Sequence, residues 1–221
     1  MTKRITSSDL SRMMAGAAAR IRERHAWLSE LDSIAGDGDH GASMLRAVEC
    51  LEKVFSPDSA MDLKISFYQA GWNVMSTDGG ASTSLIGAFF LGMSDGSAAG
   101  SLSLDRPGLA SAFQAGLAAV QKQTKAQPGD KTMMDALVPA VASMQAAADA
   151  GLEIEVALQR AAQAAQTGAE TTSNLTARYG RGRLLGERTR GFQDPGATSI
   201  ALIFEGFVQG LAAPKGEVGH G

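Results

Sequence analysis

Leu10, Met13, Met14, Ala17, Ala18, Ile21 and Leu28 recur at spacings of three, four and seven, which predicts a first helix with one buried stripe. The pattern breaks between Leu31 and Gly41, where three glycines and three aspartates fall within eleven residues. Met44, Leu45, Val48 and Leu51 restore helical periodicity until Ser56-Pro57-Asp58 stops it. Ser59 and Asp62 read as a capping box for a third helix carried by Leu63, Phe67, Ala70 and Val74. Gly79-Gly80-Ala81-Ser82-Thr83-Ser84 is a small-residue turn, and Leu85, Ile86, Phe89, Phe90 and Met93 predict a helix buried nearly all round.

Residues 94–105 read as loop. Pro107 suits the first turn of the next helix, whose core face is Leu109, Phe113, Leu117 and Val120. A helix is predicted over 131–150, capped by Asp130 and kinked at Pro139, which lacks a backbone donor. Residues 152–174 form an alanine-rich helix by propensity, and 180–191 a basic loop punctuated by glycine. Pro195 opens the last helix, packed through Ala201, Leu202, Phe204, Phe207, Val208 and Leu211. The sum is an all-α chain of about eight helices, one domain over 1–213 with a disordered tail over 214–221.

Composition agrees, being rich in alanine, leucine, methionine and glutamine and poor in β-branched and aromatic residues. The 26 glycines exceed what helix ends alone require, so many are expected in motifs. A formal charge of −3 argues against nucleic acid held by a broad basic surface. One cysteine, Cys50, builds no disulfide framework, the first ten residues lack a secretory apolar run, and no long uncharged apolar stretch spans a membrane. The expectation is a cytoplasmic protein.

The aspartate loop carries the chemistry. Asp32, Asp37 and Asp39 lie within eight residues among mobile glycines and can converge on one point. Two such charges about 5 Å apart repel by about 3 kcal/mol at an effective dielectric of 20, so the cluster is costly unless a cation neutralises it. Hard oxygen ligands favour magnesium or calcium. An EF-hand is excluded, because counting from Asp37 puts Val48 where a bidentate glutamate is needed. Magnesium, which shares its shell with phosphate oxygens and water, fits a site with few carboxylates. The alternative is a turn whose aspartates cap helices and face solvent.

His40 follows directly and either contacts a phosphate or serves structure alone. Ser43 and Met44 start a helix whose free N–H groups make an anion site. Gly79-Gly80-Ala81-Ser82 permits close backbone approach to a phosphate, or merely close helix packing. Gly129-Asp130-Lys131-Thr132 looks like the end of a P-loop, yet Asp130 stands where glycine is required. Among Arg178, Arg181, Arg183, Arg188 and Arg190, one or two at most are expected to meet a nucleotide. Asp194-Pro195 is sound helix-start grammar by itself.

Taken in order, Gly36-Asp37-Gly38-Asp39-His40-Gly41, Gly79-Gly80-Ala81-Ser82, Pro128-Gly129-Asp130-Lys131-Thr132-Met133, Leu185-Gly186-Glu187-Arg188 and Asp194-Pro195-Gly196-Ala197-Thr198 resemble the L subunit of dihydroxyacetone kinases. The resemblance spans 32–199 and implies an antiparallel eight-helix barrel with a nucleotide, ADP or ATP, at one end. It implies two magnesium ions on Asp32, Asp37 and Asp39, the residues carrying the catalysis. Phosphates would be lined by His40, Gly41, Ala42, Ser43, Ala81 and Ser82, and the rest of the pocket by Thr124, Met133, Arg181, Asp194, Pro195 and Gly196. The family phosphorylates a small ketose in glycerol metabolism. Its acceptor sits on a separate K-type subunit, and one branch recharges a resident ADP from a phosphotransferase-system protein. A nucleotide-sensing regulator, a self-contained kinase for another small sugar, and homodimerisation stay open. One departure is Thr83, where the family usually has glycine. It tightens packing, contacts phosphate or marks a different ketose.

Overall fold

A computed structural model describes residues 4–56 and 62–214 of the protein. The elements run β1 (Arg4–Thr6), α1 (Ser7–Ser33), α2 (His40–Val54), α3 (Leu63–Met75), α4 (Gly80–Asp95), β2 (Ser103–Asp105), α5 (Arg106–Gln123), α6 (Met134–Asp149), α7 (Ile154–Thr171) and α8 (Pro195–Ala212). Two 3-10 segments, Thr172–Asn174 and Arg181–Thr189, lie between α7 and α8. The chain is therefore mostly helical, with eight α-helices among the described residues. The tail over 215–221 and the Ser59 half of the expected capping box lie outside them.

Local chemistry explains most boundaries. Thr6 and Asp9 form a reciprocal capping box on α1, while Asp105 caps α5 ahead of Pro107. Asp62, expected as the acidic member of a box, is itself the cap of α3 and accepts the Lys64 N–H at 2.7 Å.

Four expectations are corrected. Residues 94–105 are not all loop: α4 runs to Asp95, and Ser103–Asp105 pairs antiparallel with Arg4–Thr6. Three-residue strands are too short for periodicity to reveal. The helix expected from residue 131 starts at Met134, because Lys131 has φ +59° and cannot belong to a helix. Asp130 does not cap α6; it turns back to the Gln127 N–H at 2.8 Å, and Asp135 gathers the Gly129 and Thr132 N–H groups at 2.6 and 2.7 Å. The alanine-rich helix ends at Thr171, and the basic loop contains 3-10 turns broken at Gly186 (φ 54°, ψ −129°).

Each helix packs on its neighbour in sequence, and α8 returns to pack on α1. The most extensive contact, α1 with α8, is backbone on backbone: a Cβ on Gly16 would overlap the Gly206 carbonyl, and one on Gly210 the Arg12 carbonyl. Gly71 of α3 and Gly87 of α4 meet the same way. Many glycines thus serve helix crossings rather than motifs, since only a missing side chain lets helix axes come this close. Inside, Phe113 of α5 stands edge-on to Phe89 of α4 at 5.6 Å and to Phe204 of α8 at 5.7 Å. Fully burying a side chain of this kind contributes about 1.5–3 kcal/mol. Pro139, inside α6, withholds an N–H from the Asp135 carbonyl, and Gly168 of α7 presses against that same oxygen.

Candidate functional site

A cavity of about 430 Å³ is lined by residues at the starts of α2, α4, α6 and α8 and near the ends of α1 and α5. That size falls within the range of small-molecule sites. Four helix N-termini bring partial positive charge and free N–H groups to one space, an arrangement suited to an anion. Neither Asp39 at the start of α2 nor Gly79 at the start of α4 supplies a side-chain cap, whereas α1, α3 and α5 are all capped. α7 also lacks a cap, though it starts away from the cavity, so an uncapped end is available rather than assigned.

Carboxylate oxygens of Asp32, Asp37 and Asp39 all lie within 4.8 Å of one another. The loop that gathers them is held by Asp32 itself, which accepts the Gly38 N–H at 2.9 Å while Gly38 takes φ +79°. Adjacent oxygens on one octahedral magnesium are about 3 Å apart and opposite ones about 4.2 Å. The donor set is of the right chemistry for a small divalent cation, whose binding would draw the three carboxylates closer together. Arg181 pairs with Asp37, and its hydrogen bond holds that carboxyl below the usual range. Burial, reinforced by the neighbouring Asp37 charge, pushes Asp39 up.

His40 is buried, with Nε2 2.7 Å from the Ser199 hydroxyl. The same hydroxyl lies 3.0 Å from the Pro195 carbonyl, so Ser199 ties the imidazole to the first turn of α8. Burial lowers the His40 pKa and keeps the ring neutral near pH 7. Asp194 caps α8 by accepting the Ala197 N–H at 2.7 Å, and its own N–H donates to Thr172 Oγ1 at 2.8 Å.

Asp32, Asp37, Asp39, His40, Ala81, Ser82, Thr124, Met133, Arg181, Asp194, Pro195 and Gly196 all line the cavity. Gly41, Ala42 and Ser43 are not among its lining residues: Gly41 presses on the His25 carbonyl, Ala42 is exposed, and buried Ser43 accepts from Arg46 at 3.1 Å. Of the arginine run only Arg181 reaches the cavity; Arg178 pairs with Asp130 and Arg190 with Glu187. Thr83 is buried, its hydroxyl donating to the Gly80 carbonyl at 3.0 Å and its side chain filling the space beside Gly79. It shapes the turn and does not line the cavity.

Sequence reasoning missed the apolar wall of Ile34, Leu85 and Phe192, together with Tyr179 and Lys131. Aromatics beside glycines in the basic stretch were the available signal for Tyr179 and Phe192. Lys131 sat inside a recognised motif but was passed over.

Burial pushes the Asp194 carboxyl up to about 7, with Asp135 adding to the shift and Lys131 opposing it. Its proton is bound in the folded chain and lost in the unfolded one between pH 4 and 7, so its contribution to stability falls as pH rises through that window. Asp194→Asn, which keeps an oxygen to cap α8, is expected to flatten this part of the melting temperature's pH dependence. Parallel melting curves of the two proteins across pH 4–8 would disprove the shift.

The DAK2 domain family is matched over residues 34–209. The chain is 38% identical over 190 residues to the ADP-binding subunit DhaL of PEP-dependent dihydroxyacetone kinase 1 from Listeria innocua, covering 86% of this chain and 89% of that one. It is 37% identical over 180 residues to the ADP-binding subunit DhaL of the PEP-dependent dihydroxyacetone kinase from Escherichia coli, with 81% and 85% covered. Among solved structures, the dihydroxyacetone kinase of C. freundii in complex with AMP-PNP and Mg2+ superposes with TM-score 0.69 at 26% identity over 90% of this chain. The chain spans only 33% of that kinase.

Proposed function

The chain belongs to the DAK2 domain family, and from that premise we propose that it is the ADP-binding, phosphoryl-transferring subunit of a dihydroxyacetone-type kinase. The observation that carries the reading is the convergence of three carboxylates and the uncapped starts of α2 and α4 on one cavity. Such a site takes a polyphosphate with its counter-cations. The relatives matched along most of their length are named as ADP-binding subunits of PEP-dependent kinases, which favours a resident ADP recharged by a phosphotransferase-system protein over freely exchanging ATP.

The cyclic packing of α1 to α8, with alternate helices starting at the cavity, supports the antiparallel eight-helix barrel with its nucleotide at one end. Asp32, Asp37 and Asp39 would hold magnesium, two ions in this reading, and the bound metal would neutralise charge on the phosphoryl oxygens. Backbone N–H groups from His40 to Ala42, and those of Ala81 and Ser82, would receive the phosphates. Gly41 would then act through the main chain, its side-chain position being packed away, whereas the Ser43 N–H is already given to the Asp39 carbonyl at 3.0 Å. Ile34, Leu85, Thr124 and Met133 would bound the rest of the nucleotide, with Asp194, Pro195 and Gly196 closing the opposite wall. Arg181 would leave Asp37 for the phosphate as the metal takes its place. A ketose-binding K-type subunit would cover the mouth.

The direct test is the nucleotide content of the purified protein and its exchange with added ATP. Trapped ADP is expected; an empty pocket without affinity would overturn the reading. Magnesium with ADP is also expected to raise the melting temperature beyond either alone. At about one hundred times the dissociation constant the gain is about 2.7 kcal/mol, or roughly 5–11 °C for a domain of this size. Thermal scans indifferent to the pair would count against any nucleotide here.

A further inference from the structure

Lys131 is a buried lysine with φ +59°, the one non-glycine residue with positive φ among the described residues. An L-residue in that region is strained, and burying an ammonium is costly unless its donors are used. Both costs are met by its contacts. Nζ donates to the Thr172 carbonyl at 2.5 Å and to the Phe192 carbonyl at 2.5 Å. The first of these oxygens, which also accepts the Leu175 N–H at 3.0 Å, lies just past the C-terminal end of α7, where the helix dipole attracts a cation. The second lies two residues before Asp194.

The same junction is stitched twice more. Asp194 N–H donates to Thr172 Oγ1 at 2.8 Å, and Gly191 N–H to the Ser173 carbonyl at 2.8 Å. Burial lowers the Lys131 pKa, and the neighbouring Asp194 and Asp135 carboxyls oppose that shift. The lysine of a P-loop spends its charge on phosphate, whereas this one spends two donors on main-chain carbonyls.

We infer that Lys131 is a positioning residue: its ammonium clasps the chain entering α8 to the end of α7, and so sets where Phe192, Asp194, Pro195 and Gly196 stand as a wall of the cavity. Its effect on ligand binding rests on the nucleotide reading above; the clasp itself does not. Lys131→Met keeps the aliphatic stem and removes the ammonium. In the full-length, ligand-free chain, amides over 189–197 are expected to exchange at least tenfold faster than in the wild type, while those of α3 to α5 keep their protection. Calorimetry with magnesium-ADP is expected to show at least tenfold weaker binding.

Should Lys131→Met fail to fold, Lys131→Gly removes the ammonium while accepting the left-handed backbone, and the same two measurements apply. Lost affinity with unchanged exchange would overturn the clasp in favour of direct phosphate contact. Unchanged values in both would make the ammonium a bystander, and loss of protection throughout the chain, or failure of both variants to fold, would make it a general stability residue; each overturns the inference. A wild type with no affinity for magnesium-ADP would sink the nucleotide reading, and the ligand-free exchange would still decide the clasp.

Discussion

Asp37→Asn and Asp39→Asn are each expected to reduce phosphoryl transfer by about a thousandfold or more while leaving helical content unchanged. The two side chains stand on the loop between α1 and α2, outside the buried core, so their replacement removes charge without removing packing. Metal neutralisation of a transferring phosphoryl group supplies several kcal/mol. A loss of about 4 kcal/mol corresponds to roughly a thousandfold in rate. Asp37→Asn also weakens a pairing with Arg181, but an exposed, solvent-screened pair contributes little to stability, so folding should survive. Asp32→Asn should behave similarly in transfer. Circular dichroism and calorimetry with magnesium-ADP check this, and near-wild-type affinity in both loop variants would remove the aspartates from the metal site.

The second large effect is an absence of activity: the isolated chain is expected not to phosphorylate dihydroxyacetone or another three- or four-carbon ketose until a K-type partner is added. In the proposed reading, the cavity's aspartate cluster and uncapped helix starts serve cation and phosphate, and Asp194 caps α8. Among the described residues, no second constellation stands beside the cavity to orient an attacking hydroxyl. Without an oriented acceptor the proximity contribution of about 7–11 kcal/mol is missing, a factor of roughly 10⁵ to 10⁸ in rate. The contact face would surround the mouth near Asp37, Ser82, Arg181 and Asp194, where a partner could exclude water. A coupled assay with and without the partner decides it, and turnover by the chain alone would establish a self-contained kinase.

Much of this protein was legible along the chain because its signals are local. Helical periodicity is a property of consecutive residues, as are the cap at Asp194 and the prolines at the first turns of α5 and α8. The aspartate loop could be read because Asp32, Asp37 and Asp39 converge through a few glycine-rich residues, with no distant contact required. The five ordered motifs supplied the family. Tertiary structure decided what depends on distant partners. The strand pair Arg4–Thr6 with Ser103–Asp105 exists only because ends far apart in sequence meet. The start of α6 slipped to Met134 because Lys131 is pulled into a left-handed conformation beside carbonyls of Thr172 and Phe192. Gly16, Gly206 and Gly210 looked like surplus until α1 and α8 came into backbone contact. His40 became a neutral, buried hydrogen-bond partner of Ser199, 159 residues away, and Asp194 a carboxyl raised to about 7; neither environment is written in the residues beside them. Residue type and spacing set which groups could act locally, while burial and long-range hydrogen bonds set their charge and direction.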